Sequence, residues 1–338
     1  MARNETRLVA FRKAVRAVDT VEHKFNLARA SVNRLGFPFR APTIPHGVDV
    51  PAERGTTGAD FDTDWARRPS AKLARRLIVS GPMRRVIGAV ADPEITGLDR
   101  LADLKDLGND APSLIFVANH HSHLDAPLML TSIPLPWRDN LVVGAAADYF
   151  FGTRLTGAVS ALALGAFPID RHTVNRRSSD LASELINDGW SLLIFPEGGR
   201  SPDGWGQTFK GGAAFLSEKC NAPVVPVHID GSGSIWGKGS KKLKPGKTKV
   251  TFGRPLTMVD GENVRRFNER IERAVAELAD EAVSDWWSAR QRAGSSVTPS
   301  LTGPAYTGWR RAWALSDERA KGKAGEKFLP KRRWPSTD

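Results

Sequence analysis

Apolar residues recur every three or four positions near the start of the chain: Leu8, Phe11, Val15, Val18, Val21, Phe25, Ala28, Val32 and Leu35. That period predicts a helix over residues 5–35, ended by Gly36 and Pro38. Residues 36–64 carry four prolines, four glycines and little periodicity, the pattern of a linker. From 65 to 91 an apolar face returns through Leu73, Leu77, Ile78, Met83, Val86, Ile87 and Val90, broken at Gly81-Pro82. A kinked pair of amphipathic helices is expected, its polar side basic, with seven Lys or Arg and no acid. Such helices either pack on the core with a solvated basic back or lie in a membrane interface.

Beyond residue 95 the period changes. Short apolar runs at 114–118, 141–145, 165–169, 191–195, 223–229 and 249–252 read as strands, with helical patterns at 125–132, 174–188 and 210–220 between them. This alternation predicts an α/β fold with a largely parallel central sheet flanked by helices. A further amphipathic helix follows from 262 to about 289, through Val264, Phe267, Ile271, Val275, Leu278 and Val283. The expected organisation is an N-terminal helix and linker (1–64), basic amphipathic helices (65–94), a central domain (95–285) and a basic Trp-rich tail (286–338). The tail holds five of the ten tryptophans and eleven Lys or Arg against four acids. Such residues stack on bases, cap a core or anchor at lipid headgroups.

Composition narrows the classes. With 338 residues, 41% hydrophobic and 25% charged, the chain is neither a disordered polymer, a fibre nor a small disulfide scaffold. Cys220 is the only cysteine, so no intrachain disulfide can form. The 49 Lys and Arg outnumber the 37 Asp and Glu. That excess suggests an anionic partner: nucleic acid, an anionic membrane surface or a phosphorylated small molecule. No run of about 18 apolar residues could span a bilayer, and the N-terminus lacks a secretory pattern. A cytoplasmic protein is expected.

The chemistry concentrates where strands end. The run Asn119-His120-His121-Ser122-His123-Leu124-Asp125-Ala126-Pro127 follows one strand, and Asp125 and Pro127 suit the start of a helix. His120 and Asp125, five apart across a tight loop, can face one another as base and orienting carboxylate. Two other readings compete: a metal site on His121, His123 and Asp125, against which stands Ala126, and three polar loop histidines with no chemistry. A second strand runs into Phe195-Pro196-Glu197-Gly198-Gly199-Arg200-Ser201. There Gly198 permits close backbone approach, Arg200 offers a fork to phosphate, and Ser201 another donor. Glu197 could accept from a polyol hydroxyl, and Lys210 opens a helix where anions are favoured. A third strand ends in Asp170-Arg171. Arg171, Arg200 and Lys210 would form a phosphate cradle beside His120 at the ligand-binding edge of the sheet.

Asn119-His120-x-Ser122-x-x-Asp125, Phe167-Pro168-Ile169-Asp170-Arg171, Phe195-Pro196-Glu197-Gly198-x-Arg200-Ser201 and Val224-Val225-Pro226-Val227 together resemble the glycerolipid acyltransferase family. Four motifs stand in the family's order and spacing over roughly residues 95–260. The resemblance implies transfer of a fatty acyl group from acyl-CoA or acyl carrier protein to the sn-2 hydroxyl of 1-acyl-glycerol-3-phosphate. His120 would be the base and Asp125 its partner. Arg171, Glu197, Gly198, Arg200, Ser201 and Lys210 would hold the acceptor, with no metal or other cofactor. Gly199 stands where the family usually has threonine; the Gly-Gly-Arg-Ser form is familiar from the related glycerol-3-phosphate acyltransferases, so acylation of glycerol-3-phosphate or another lipid becomes the alternative. Expected partners are a lysophospholipid, an acyl thioester and an anionic membrane surface, the protein lying peripherally on the membrane. Nucleic-acid binding, suggested by charge and tryptophans alone, leaves His120 and Asp125 unexplained. A metal-dependent hydrolase is the remaining alternative.

Overall fold

A computed structural model describes residues 58–107, 110–169, 176–240 and 242–303. The helix expected over 5–35, Arg171, and Trp309, Trp313 and Trp334 of the tail lie outside these residues. Seven strands make one sheet: β1 (Pro93–Thr96), β2 (Ile115–Ala118), β3 (Leu141–Ala146), β4 (Ala166–Ile169), β5 (Ser191–Ile194), β6 (Val224–Asp230) and β7 (Thr248–Phe252). Their order is β1-β7-β6-β2-β5-β3-β4. Every pairing is parallel except β6 with β7. The six expected strands all form. β1, which opens on a proline at the sheet edge, is the additional one.

The helices are α1 (Pro69–Ile78), α2 (Arg84–Ala91), α3 (Ala102–Lys105), α4 (Asp125–Ser132), α5 (Ala147–Phe150), α6 (Arg154–Leu164), α7 (Arg176–Asn187), α8 (Gly212–Cys220), α9 (Ser232–Trp236), α10 (Val264–Val283) and α11 (Trp286–Gly294). Alternating strand residues build two cores. Phe116, Ala118, Val225, Val227 and Ile229 pack with Ile87, Val90, Leu128 and Leu130 on one face. Ile115, Val117 and Val224 pack with Ala213, Ala214, Phe267, Ile271 and Val275 on the other. The helix expected over 262–289 is divided at Ser284, where Asp285 caps α11 by accepting from the Ser288 amide. Arg292 binds both carboxylate oxygens of Asp280 at 2.6 and 2.8 Å, holding α11 against α10. Trp286 and Trp287 are exposed rather than packed on the domain.

The basic segment kinks where Gly81-Pro82 places it, through a π turn at Val79–Met83. Its apolar face is divided, with Ile87 and Val90 in the core and other members turned to the surface. Leu73 and Leu77 point outward, 58% and 66% exposed, while Arg75 is 4% exposed. The Arg75 guanidinium donates to four carbonyl oxygens: Ala66 at 2.6 Å, Leu162 at 3.0 Å, and Leu141 and Ala161 at 3.4 Å. Two of these belong to the last turn of α6, which has no intrahelical donors for them and carries negative partial charge. Burial lowers the Arg75 pKa to about 10, which leaves it charged at neutral pH. Gly165, left-handed at φ 67°, closes α6 beside it; a Cβ there would lie 2.8 Å from the guanidinium. Arg75 is therefore a cap for α6 and not a surface cation. Arg76 pairs with Asp139, leaving Arg84 and Arg85 exposed.

Candidate active site

β2, β5 and β6 end side by side, so the loops that follow them meet. Asn119 extends the β2–β6 ladder with its side chain: its amide donates to the Ile229 carbonyl at 2.9 Å, and its oxygen accepts from the Ile229 amide at 2.7 Å. The next residue, His120, is thereby set at the sheet edge. Its Nδ1 lies 2.8 Å from Asp125 Oδ2. A carboxylate can only accept, so the proton resides on Nδ1 and Nε2 carries a lone pair. The ring stacks on Phe195 at 4.3 Å and 22°, and the side chain is 21% exposed.

Asp125 is fully buried and stands in the first turn of α4. It does not cap that helix, as its position in the sequence suggested. Leu124 occupies the cap position without a side-chain bond, and Asp125 turns back to the preceding loop. Its Oδ2 accepts from the His121 and Ser122 amides at 2.7 and 2.8 Å as well as from His120. The loop is thus folded around the oxygen that orients the His120 ring. The Ser122 hydroxyl donates to the Trp236 carbonyl at 2.9 Å. Among the described residues, no three His, Cys, Asp or Glu side chains converge as metal ligands.

Glu197 has a different task from the one the sequence suggested. It is buried, its Oε1 accepts from the His120 amide at 2.8 Å, and its Oε2 accepts from the Gln207 amide at 2.9 Å. The Ser201 amide donates to the His120 carbonyl at 2.8 Å. Glu197 therefore joins the His120 loop to the loop after β5. Ser201 is also turned inward. Its one hydroxyl proton goes to the Trp205 carbonyl at 2.7 Å, so it is not the phosphate donor expected. The chain could not reveal this, because the partners are backbone groups distant in sequence.

Gly198 has φ 71°, and a Cβ there would lie 2.6 Å from Lys210 Nζ. The Lys210 ammonium thus packs over this turn, and its amide donates to the Pro196 carbonyl at 3.0 Å. Lys210 stands just before α8, whose cap residue is Gly211. Arg200 lies on the same loop; burial first, and then the Arg200 charge, hold the His123 imidazole below its ordinary range. Gly199 between them is open: a Cβ would meet nothing within 4 Å. Of the three expected cations, the structure thus places Arg200 and Lys210 around the loop beside His120. Behind the site, His121 Nε2 and His228 Nδ1 are buried without partners. Burial drives both imidazoles below their ordinary range, His228 to about 4, with Asp230 opposing the effect in each case.

Residues 93–230 match the family model described as Acyltransferase. This segment is an acyltransferase-family domain. The acyltransferase domain also resembles curated proteins. A chloroplastic 1-acyl-sn-glycerol-3-phosphate acyltransferase of Brassica napus is 31% identical over 166 residues, 48% of this chain and 44% of the relative. The protein of that activity name from Bacillus subtilis is 29% identical over 119 residues, covering 33% of this chain and 57% of the relative. The one from Pseudomonas aeruginosa is 33% identical over 97 residues, 29% of this chain and 37% of the relative. The chain spans less than half the length of the Brassica relative. Among solved structures, a 1-acyl-sn-glycerophosphate acyltransferase from Thermotoga maritima aligns with TM-score 0.48 and 23% identity, over 65% of this chain and 83% of that one.

Proposed function

We propose that the protein is an O-acyltransferase that moves a fatty acyl group from acyl-CoA or acyl carrier protein to the sn-2 hydroxyl of 1-acyl-glycerol-3-phosphate. The observation that carries this reading is the 2.8 Å contact between His120 Nδ1 and the buried Asp125, with Nε2 left as a base at the sheet edge. His120 Nε2 takes the hydroxyl proton as the oxygen attacks the thioester carbonyl. The tetrahedral adduct collapses, the carbon–sulfur bond breaks, and the imidazolium returns its proton to the departing thiolate. Asp125 stabilises the imidazolium meanwhile. No acyl-enzyme enters this scheme. The Ser122 hydroxyl is committed to the Trp236 carbonyl, and Cys220 ends α8, at the edge of the sheet where β6 begins. Arg200 and Lys210 would receive the acceptor's phosphate, and Arg171, by its motif, would join them.

The substrate reaches the site from a bilayer in this reading. No helix among the described residues is long and apolar enough to cross a membrane. Leu73 and Leu77 on α1, with the exposed Leu155 and Val159 on α6, supply an apolar face, and Arg84 and Arg85 supply cations. That combination suits peripheral attachment to an anionic surface. The test is transfer by purified protein to a panel of acceptors. His120→Ala should lose about 100- to 10,000-fold with unchanged melting. Near-normal turnover by that variant would refute the mechanism.

A further inference from the structure

The proposed reaction brings two unlike ligands to His120, a phosphate-bearing head and a long acyl chain. Lys210 leads into α8, whose Ala213 and Ala214 pack on the sheet face carrying Ile115 and Val117. On the opposite face, beside Leu124 and Phe195, Trp236 packs against the core. There the His123 ring lies 4.9 Å from the Trp236 ring and 5.7 Å from Tyr149, the latter at 26°. Tyr149 meets Phe150 edge-on at 5.0 Å. The three rings come from three different connections between strands: His123 follows β2, Trp236 ends α9 after β6, and Tyr149 lies on α5 after β3. They form one wall across the edge on which His120 stands. Tyr149 is nonetheless 56% exposed. Burial foremost, then Arg200, keeps His123 below the usual imidazole range, so its face is uncharged at neutral pH.

We propose that His123, Tyr149 and Trp236 form the acyl-chain side of the site, along which the fatty chain of the thioester donor lies as its carbonyl reaches His120. This rests on the acyltransferase reading above. Uncharged ring faces attract a polymethylene chain through buried area and dispersion and offer no countercharge to a phosphate. Arg200 and Lys210 have the reverse preference. His123, which feels the Arg200 charge and touches the other two rings, marks where the two ligands would part.

Tyr149→Ala tests the wall, because the side chain is exposed and its loss opens no cavity in the core. The ratio of kcat/KM for palmitoyl-CoA to that for butyryl-CoA should fall about tenfold, equivalent to roughly two methylenes losing their cover. Tyr149→Phe should restore the ratio, and His123→Ala should lower it in the same direction. Equilibrium binding supplies an arm independent of turnover: Tyr149→Ala should weaken palmitoyl-CoA and leave CoA unchanged. Equal losses on both chain lengths, or unchanged palmitoyl-CoA binding, would overturn the assignment. Failure of the wild-type protein to acylate any acceptor would instead overturn the reaction reading, while the binding arm still decides whether the wall holds a chain.

Discussion

His228 allows a quantitative pH prediction. Its imidazole is enclosed and titrates at about 4 in the folded protein, against an ordinary value of 6.5. The unfolded chain therefore binds a proton that the folded one refuses, and stability falls as pH drops below 6.5 until the folded group titrates near 4. At pH 5.0 the unfolded group is about 1.5 units below its pKa, which corresponds to ~2 kcal/mol. His121, also depressed by burial, adds in the same direction. Against a typical total of about 5–15 kcal/mol this is a substantial fraction. The measurement is urea unfolding of wild type and His228→Gln at pH 7.5 and 5.0. Carboxylates titrate in both proteins, so the difference between them isolates His228. The variant should lose ~2 kcal/mol less than wild type over that interval. Parallel losses would show that His228 takes up its proton in the folded state, and the enclosed neutral imidazole would be refuted.

Arg200→Ala and Lys210→Ala should each reduce kcat/KM for a phosphate-bearing acceptor by roughly 10- to 100-fold, from charge-assisted bonds of about 1.5–3 kcal/mol. An acceptor without phosphate should lose less, and equal losses on both would remove the cradle. Arg75→Gln should lower the melting temperature by a few degrees, since carbonyls that cap α6 lose a charged donor worth about 1.5–3 kcal/mol and each kcal/mol moves a chain of this size by roughly 1–2 °C. Melting indistinguishable from wild type would contradict the capping role. Leu73→Ser with Leu77→Ser should weaken binding to anionic vesicles while leaving melting unchanged, because both side chains face outward. Arg84→Gln with Arg85→Gln should make the remaining binding less sensitive to salt. Unchanged vesicle binding in both pairs would locate the membrane contact elsewhere.

Much of this architecture is legible in the residues. β2, β5 and β6 read directly because Ile115–Ala118, Ser191–Ile194 and Val224–Asp230 are dense in aliphatic residues and run into polar loops. The proximity of His120 and Asp125 follows from five-residue spacing across a tight loop. α6 is not legible as a helix. Its capping box pairs Thr153 with Thr156 in place of an acidic partner, and Gly157 and Ser160 dilute its periodicity. Arg75 is one of seven cations with similar neighbours in sequence; only the C-terminus of α6, some 87 residues on, distinguishes it. The task of Glu197 is hidden in a similar way. A carboxylate in a glycine turn looks available to a ligand, but it is held by amides from His120 and Gln207, which have no side-chain signature.

The openness at Gly199 bears on how acceptor choice can diverge among chains built this way. Asp125 binds the His120 ring and the His121 and Ser122 amides, Glu197 binds the His120 amide, and none of those bonds uses a side chain at 199. The main chain there is not left-handed, and the space over its Cα is vacant. A threonine or a larger residue can therefore enter without disturbing Lys210, Ser201 or His120. Under the proposed reaction, selectivity toward the polar head becomes a separable trait, adjustable by single substitutions at one permissive position while the His120–Asp125 pair is kept intact.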